Sequence, residues 1–295
     1  LKRIYYFRIP FMYLKKISLV HFKNYVQADL VFSPEINCIT GSNGEGKTNL
    51  LDAIHYLSFC KSFFNPVDSQ NIQHDAQLFI IQGHFIKREN EDEIYCVQKR
   101  NQKKQFKRNK KEYERLANHI GMYPLIMVSP SDIELVSEGS EVRRKFIDSA
   151  ISQYDKDYLD NLIHYNKVLA QRNALLKRFS QTGQFSYPEI EIWDAQMIEA
   201  GKKIYAVRKN FIAEFIPVFQ KHYAVISRER EKVELTYNSQ LNKGDFQDLL
   251  SKAQSKDRVL EYTTTGIHKD DLDFLMSGSP IKKFGSQGQQ KTYLL

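Results

Sequence analysis

Residues 41–48 read Gly-Ser-Asn-Gly-Glu-Gly-Lys-Thr, a complete match to the phosphate-binding pattern G-x-x-x-x-G-K-[ST]. The apolar run at residues 36–40 predicts a short strand before it, and apolar residues at helical spacing over 49–57 predict a helix after it. A strand that turns through glycines into a helix points backbone N–H groups and the positive helix end at one spot, where an anionic phosphate can bind. The pattern therefore predicts a nucleotide site.

The pattern also assigns roles within the loop. Its glycines allow the backbone to approach a phosphate without a Cβ clash, Lys47 is expected to reach the β- and γ-phosphates, and the Thr48 hydroxyl is placed to bind Mg²⁺. The alternative is a flexible glycine turn that contains a lysine by chance, which the strand and helix context disfavours. The predicted ligands are ATP and Mg²⁺, and the predicted nucleotide contacts are Gly41, Ser42, Asn43, Gly44, Glu45, Gly46, Lys47 and Thr48.

The composition sets the class of protein without deciding its activity. The chain has 295 residues, of which 42% are hydrophobic, enough for one large or two medium domains. Cys38, Cys60 and Cys96 lie far apart in the sequence, so neither a disulfide framework nor a zinc site is indicated. No apolar run reaches the ~18 residues that a membrane span needs, and charges interrupt residues 1–8 too often for a signal peptide. We expect a cytoplasmic protein with no membrane partner.

The net charge of +8 comes from one stretch. Residues 99–111 contain eight lysines and arginines and no acidic residue, so the rest of the chain sums to zero. Alternating apolar residues on either side of 101–103 predict a β-hairpin that carries this charge. The hairpin can be a solvated surface, or it can bind a phosphate backbone, because charges this dense repel one another unless a polyanion neutralises them. The candidate DNA contacts here are Lys103, Lys104, Lys107 and Arg108.

The rest of the chain divides by its apolar pattern. Up to about residue 128, short strand-like runs such as 78–81 and 125–128 alternate with helical segments, as in an α/β layer. Two longer runs at helical spacing, 147–176 and 193–218, are separated by a turn and predict a long helical hairpin. Arg172 interrupts the apolar seam and is expected to be paired inside that hairpin. A strand-like pattern returns at 233–237.

Near the end of the chain, residues 284–292 read Phe-Gly-Ser-Gln-Gly-Gln-Gln-Lys-Thr and are predicted to open a helix. This segment is similar to the signature loop of ABC-type ATPases, with Ser286, Gly288 and Gln289 at the matching positions. The resemblance implies that these residues bind the γ-phosphate of a nucleotide held by the phosphate-binding loop of a second subunit, so that two half-sites form one site.

Further motifs narrow the resemblance to the RecF family, over nearly all of the chain from Met12 onward. Five segments resemble that family: the first hairpin at 13–25, the phosphate-binding loop at 43–51, the entry into the helical arm at 128–132 with 139–148, the first arm helix at 165–173, and the return strand at 266–272. The return strand has Gly-Ile-His-Lys-Asp-Asp-Leu where the family usually has Gly-Pro-His-Arg-Asp-Asp-Leu.

The resemblance implies an α/β fold, a P-loop NTPase of the ABC/SMC-head type with an inserted helical-hairpin arm. It divides the chain into four parts: an extension outside the fold at 1–11, an ATPase lobe with the loop and basic hairpin at 12–130, a helical arm at 131–225, and a return segment with the signature at 226–295. It also implies an ATP-dependent homodimer that binds double-stranded DNA near gaps and acts with RecO and RecR to place RecA on gapped DNA.

Arg143 and Arg144 are two further candidate DNA contacts. They lie in the first turn of the predicted arm helix, where the helix dipole disfavours cations, so they need either DNA or a carboxylate partner. His268 lies next to Asp270 and Asp271, and these three residue types can bind a metal. At the end of a strand they more often form hydrogen bonds and caps, which is the role we expect.

The chain departs from the family pattern in three places. Residues 1–11 precede the family's usual start at Met12. Residues 129–132 stand where related ATPases place a glutamine near Mg²⁺. The sequence stops at Leu295 before any strand that could supply the water-orienting carboxylate, so we expect a fragment that binds ATP without hydrolysing it.

Two other functions fit parts of the sequence. A chromosome-organising SMC-like ATPase would share the loop and the signature, but it needs a much longer coiled coil than an arm of about 70 residues provides. A small-molecule kinase or transporter ATPase would use the loop alone and would have no need of the basic run. We therefore expect an ATP-gated, DNA-binding repair protein.

Overall fold

The computed structural model describes residues 12–88 and 90–294. They form two compact units, which divide between Met127 and Val128. The predicted extension at residues 1–11 lies outside the described residues.

The first unit is built on one antiparallel sheet of six strands in the order β2-β1-β3-β4-β5-β6. One face of β3 is buried at alternate positions, and helix α1 packs on it through Tyr56 and Leu57, neither of which is exposed. The strands are β1 Met12–Phe22, β2 Tyr25–Val31, β3 Leu78–Lys87, β4 Asn90–Lys99, β5 Gln105–Arg108 and β6 Lys111–Glu112; the helices are α1 Lys47–Phe59 and the 3-10 turns Asp68–Asn71 and Leu116–Asn118.

The structure confirms the predicted helix after the phosphate-binding loop, the strand that includes 78–81, and the hairpin on either side of 101–103. Two predicted strands are wrong, since residues 36–40 and 125–128 are irregular. A strand exists only where a neighbouring backbone completes its hydrogen bonds, and neither segment is a strand of the two sheets formed by the described residues. Ile36 and Ile126 are 83% and 87% exposed. The unit is therefore an antiparallel sheet in which β3 pairs with β1 after the α1 connection, without the regular alternation of strands and helices that was expected.

The second unit is mostly helical. Its helices are α2 Glu134–Ser137, α3 Ser140–Ser152, α4 Lys156–Thr182, α5 Tyr187–Ser227, α6 Phe246–Leu260, α7 Ile281–Phe284 and α8 Gln287–Leu294, with 3-10 turns at Pro130–Ile133, Gln240–Lys243 and Ile267–Lys269. Strands β7 Val233–Asn238, β8 Asp271–Met276 and β9 Ser279–Pro280 form an antiparallel sheet in chain order.

Helices α4 and α5 form the predicted helical hairpin, but the predicted first run, 147–176, is divided between α3 and α4. The Asp155 side chain caps α4 by accepting from the Tyr158 N–H, and Gly183 ends it at a φ of 67°. Pro217 lies inside α5, which continues to Ser227. The arm helices and β7 to β9 belong to one compact unit, which differs from the separation expected at residue 225.

Two fully buried arginines hold this unit together. Arg172 binds Asp194 on α5 at 2.6 Å and Asp257 on α6 at 2.7 Å, so its predicted pairing inside the hairpin is confirmed. Arg208 on α5 binds Asp148 and Asp270, both at 2.8 Å. Because an unpaired buried charge is costly, these networks fix how α3, α5, α6 and the segment before β8 pack.

Candidate nucleotide site

The backbone of the phosphate-binding loop needs its glycines. Gly41, Gly44 and Gly46 have φ values of 148°, 88° and 103°, which side chains rarely tolerate. Helix α1 begins at Lys47, immediately after the left-handed Gly46. The free N–H groups of its first turn therefore face the loop, as a phosphate site at a helix start requires.

Lys47 is turned back onto its own loop. Its Nζ donates to the Gly41 carbonyl at 2.8 Å and to the Ser42 carbonyl at 2.7 Å. These bonds hold the ammonium group over the loop. To bind a phosphate there, the lysine would exchange neutral carbonyl acceptors for charged oxygens, which are the stronger partners.

The turn between β1 and β2 braces the loop from outside. Asn24 Nδ2 donates to the Gly44 carbonyl at 3.3 Å, its Oδ1 accepts from Asn49 at 2.7 Å, and the Tyr25 hydroxyl donates to the Gly46 carbonyl at 3.1 Å. A Cβ on Gly46 would lie 2.7 Å from the Asn24 amide. Sequence reasoning did not assign Asn24 or Tyr25 to the site, although both belong to the first-hairpin motif at 13–25.

A buried carboxylate fixes α1 beside that turn. Asp52 has no exposed surface and binds the Lys23 ammonium, the Ser62 hydroxyl and the Phe63 N–H, each at 2.6 Å. With Lys23 next to Asn24, this group of bonds holds the hairpin turn, the helix and the segment after it in one arrangement.

The magnesium ligand predicted at Thr48 lies in the first turn of α1 and is exposed. Magnesium bound to a nucleotide takes most of its ligands from phosphates and water, so one protein hydroxyl fits the requirement. No group of three or more carboxylate, histidine or cysteine side chains that could hold a metal occurs among residues 12–88 and 90–294. If Mg²⁺ binds with the nucleotide, the Thr48 hydroxyl is the protein group of this loop that would hold it, beside the phosphate oxygens.

The signature segment opens helix α8, as predicted, and its first turn is capped from within. The Gln289 N–H donates to Ser286 Oγ at 3.2 Å, and the Ser286 N–H donates to Gln289 Oε1 at 2.7 Å. This reciprocal arrangement is a capping box, which fixes the geometry of the serine. Ser286 and Gly288 are exposed, whereas Gln289 is half-buried with its side chain already bonded.

The basic hairpin is less available to a polyanion than its sequence suggests. The Lys104 side chain is 9% exposed, and its Nζ binds Asp68 at 2.7 Å, the Tyr56 hydroxyl at 2.9 Å and the Cys60 carbonyl at 2.5 Å. Arg108 forms two bonds with Asp92, at 3.1 and 3.0 Å. The expectation that these two cations contact DNA is corrected, because each neutralises a carboxylate of its own unit.

Other lysines of the run remain free. Lys99, Lys103, Lys107, Lys110 and Lys111 form no ion pair within the described part of the chain. Of the four hairpin candidates, the structure therefore leaves Lys103 and Lys107 for a phosphate backbone.

Comparison with known proteins identifies the family. A family model described as the RecF/RecN/SMC N terminal domain matches residues 13–122. A DNA replication and repair protein RecF from Phocaeicola vulgatus is 54% identical over 285 residues, which are 96% of this chain and 76% of that protein. The corresponding RecF of Flavobacterium johnsoniae is 49% identical, over 96% of this chain and 79% of that protein. The chain belongs to the RecF family.

Solved structures agree with this RecF assignment. A structure of the recombination mediator protein RecF-ATP in the RecFOR pathway matches with a TM-score of 0.91 and 32% identity, over 98% of this chain and 80% of that one. An Smc head domain from Pyrococcus furiosus shares the fold, with a TM-score of 0.50 and 17% identity. The predicted α/β P-loop fold of the ABC/SMC-head type is confirmed. No helix in the described residues is long and apolar enough to cross a membrane.

The arm-entry cations of this RecF-family chain are also paired. Arg143 binds Asp271 through two bonds, at 2.6 and 3.1 Å, and Arg144 donates to the Asp270 carbonyl at 2.6 Å. The two predicted alternatives were contact with DNA and pairing with a carboxylate. The structure shows a carboxylate partner for Arg143 and a backbone carbonyl partner for Arg144. The expected DNA role is therefore corrected for Arg143, whose guanidinium is already neutralised.

Asp270 and Asp271 therefore have structural partners in Arg208 and Arg143. His268 likewise has both ring nitrogens bonded, to the Tyr165 hydroxyl at 2.8 Å and to the Thr263 carbonyl at 3.0 Å. The motif shared with the family's return strand thus serves to dock that strand against the arm.

Proposed function

We propose that this chain binds ATP at the 41–48 loop, with Mg²⁺ at Thr48, and that it acts as an ATP-gated DNA-binding protein in recombinational repair. The observation that carries the proposal is the position of Lys47, at the start of α1 with its ammonium held over the loop by two carbonyl oxygens. The solved relative described as RecF-ATP supports the choice of nucleotide.

We further propose that Ser286, Gly288 and Gln289 cap the nucleotide held by a second copy of the chain, so that ATP promotes a homodimer. Ser286 is exposed and its hydroxyl hydrogen is free to donate, since that oxygen accepts the Gln289 N–H. Gln289 would act indirectly, by holding Ser286 in the capping box, because its side chain is already hydrogen-bonded to Ser286 and Glu231.

The polyanion in this proposal is double-stranded DNA, including gapped DNA, contacted by Lys103 and Lys107. Membership of a family of DNA replication and repair proteins supports this choice. The relative described in the RecFOR pathway supports RecO and RecR as partners, with RecA loading as the outcome in a cytoplasmic process.

The nucleotide proposal is tested by Lys47→Ala. Loss of a charge-assisted phosphate contact weakens ATP binding by a few kcal/mol, about a hundredfold, with an unchanged circular dichroism spectrum. Titration calorimetry with ATP and Mg²⁺ measures it, with the exposed and paired Lys145→Ala as the control. Unchanged ATP affinity in Lys47→Ala would refute the nucleotide site.

Capping by a second copy is tested by Ser286→Arg. A bulky cation at this position blocks ATP-dependent dimerisation, followed by sedimentation velocity, and leaves ATP binding by the monomer intact. Ser251→Arg on the exposed face of α6 is the matched control. A Ser286→Arg chain that dimerises normally with ATP would rule out the capping role.

A further inference from the structure

The side chain that fixes the signature loop is itself held by a distant residue. Gln289 uses its Oε1 to accept from the Ser286 N–H, and its Nε2 donates to Glu231 Oε1 at 2.6 Å. Glu231 is 58 residues earlier in the chain, in the turn between α5 and β7. No motif pointed to it.

Glu231 is in turn held by the arm helix. The Tyr223 hydroxyl, in the last turns of α5, donates to Glu231 Oε2 at 2.5 Å. The hydrogen bonds from Tyr223 and then Gln289 keep the pKa of the Glu231 carboxyl below its ordinary value, so it is ionised at neutral pH. One carboxylate thus accepts from the arm helix with one oxygen and from the signature segment with the other.

Aromatic packing brings the same two elements together. Tyr293 of α8 lies 5.9 Å from Tyr223 and 4.9 Å from Phe219, measured between ring centroids, and both partners are on α5. Tyr293 also donates to the Glu234 carbonyl at 2.8 Å. The ends of α5 and α8 therefore share a small core, with the Glu231 bonds at its polar edge.

We propose that Glu231 is a positioning residue for the signature loop, which holds Ser286 in its capping geometry by fixing the Gln289 side chain to the end of the arm helix. The inference rests on the proposed capping of nucleotide by Ser286. It adds that the geometry of the loop depends on where the end of α5 lies.

Donor and acceptor roles make the proposal testable. Glu231→Gln would not break this chain of bonds, because its oxygen can accept from Gln289 while its NH₂ donates to the Tyr223 hydroxyl. In Glu231→Lys, the ammonium group can only donate, so it faces the NH₂ of Gln289. If Gln289 flips to accept from that ammonium, its own NH₂ faces the Ser286 N–H. One of these two hydrogen bonds is lost in either arrangement, so the change at residue 231 reaches the signature serine.

A compensating change at residue 289 removes this conflict. In the double variant Glu231→Lys with Gln289→Glu, the ammonium at 231 donates to one oxygen of the carboxylate at 289, and the other oxygen accepts from the Ser286 N–H. Glutamate is also a preferred third residue of a capping box. The double variant restores both hydrogen bonds, whereas Gln289→Glu alone places two carboxylates against each other.

The experiment measures two quantities in the full chain, the hydrogen exchange of the Ser286 amide without nucleotide and the dimerisation constant with ATP and Mg²⁺. Glu231→Lys is expected to speed Ser286 exchange about tenfold and to weaken dimerisation about tenfold, with ATP affinity of the monomer unchanged. Tyr223→Phe, which keeps the ring, is expected to shift both in the same direction by a smaller factor. Glu234→Lys, an exposed neighbour with the same charge change, is the control and is expected to leave both at wild-type values.

Rescue separates positioning from a general loss of stability. The double variant is expected to return Ser286 exchange to within about twofold of wild type, which a merely destabilised chain would not do. Wild-type exchange and dimerisation in Glu231→Lys, or no rescue of exchange by the double variant, would overturn the proposal. If the wild-type chain fails to dimerise with ATP, the capping proposal is lost, while the exchange rates still decide whether Glu231 positions Ser286.

Discussion

The two loops proposed to face the nucleotide are held in different ways. The phosphate-binding loop has three glycines at positive φ and is held by Lys47 and the nearby turn at Asn24. In the signature loop, Gly285 has an ordinary φ of −75°, and the geometry comes from a capping box held by Glu231. The first loop is shaped by its own backbone, and the second by a distant carboxylate.

This difference explains why the two loops differ in how clearly the sequence shows them. A backbone that needs left-handed residues at fixed positions leaves glycines at those positions, so the sequence pattern records the geometry. A polar cap leaves only serine and glutamine, which occur in many loops. The partner that holds the cap lies too far along the chain for any local pattern to include it.

The largest expected effect comes from adding one methyl group to each loop. Gly46→Ala places a Cβ 2.7 Å from the Asn24 amide at a φ of 103°, so the start of α1 must shift; we expect ATP affinity to fall about a hundredfold. Gly288→Ala meets nothing closer than Ser286 Oγ at 3.8 Å and lies within α8, so we expect the thermal midpoint to stay or rise slightly. Calorimetry and thermal unfolding measure both, and equal tolerance of the two alanines would remove the contrast.

The basic run shows how far the sequence could predict a surface. The hairpin was predicted and is present, but the free cations within it were not identified. Phe106 is buried, and side chains two residues apart share a face of a strand, so Lys104 and Arg108 point inward with it toward Asp68 and Asp92. The alternation of side chains along a strand, counted from Phe106, could have indicated that Lys104 and Arg108 point inward. The acidic partners could not have been predicted, because they are brought near by tertiary packing.

The incorrect strands have a similar cause. Residues 36–40 and 125–128 have the apolar composition of strands, but composition does not supply a neighbour to pair with. The arm was predicted well because helices complete their hydrogen bonds within one segment, so the apolar period is sufficient. Glu231 and Asn24 escaped prediction because their role exists only after folding.

A second prediction compares how the stability of the two units depends on pH. Each contains a histidine with the same hydrogen bonds: His119 and His268 lie with Nε2 on a backbone carbonyl and Nδ1 on a tyrosine hydroxyl. The neutral ring satisfies both bonds by donating from Nε2 and accepting at Nδ1. Burial lowers the pKa of each to about 4, from an ordinary value of 6.5.

Because the folded chain disfavours the protonated ring, unfolding takes up a proton between pH 6.5 and 4, and stability falls as the pH decreases through that range. We expect a loss of about 2 kcal/mol per histidine at pH 5, of similar size for His119 and His268, because burial lowers the pKa of both to about 4. Chemical denaturation between pH 7 and 5 measures it. His119→Gln and His268→Gln should each flatten the pH dependence; an unchanged slope would contradict the neutral assignment.

A third prediction tests the division of the basic run into free and paired cations. Each lysine that contacts a DNA phosphate adds about 0.9 to the slope of log affinity against log salt, so Lys103→Gln with Lys107→Gln should lower that slope by up to about 1.8. Lys202→Gln with Lys203→Gln removes the same charge from lysines that are already paired, and should leave the slope unchanged. Fluorescence anisotropy with duplex DNA at several salt concentrations measures both. Equal slopes in the two variants would make the hairpin a solvated surface.

The smallest effect tests the claim that the phosphate-binding loop is shaped mainly by its own backbone. Asn24→Ala removes the donor to the Gly44 carbonyl and the acceptor for Asn49, but the glycines and Lys47 remain, so we expect ATP affinity to fall only about fivefold. Asn49→Ala removes the second of these bonds alone and should have a smaller effect. Calorimetry of the two variants measures the difference. A loss with Asn24→Ala as large as that of Gly46→Ala would mean that the neighbouring turn, and not the glycines, sets the loop, and both loops would then depend on a partner outside their own motif.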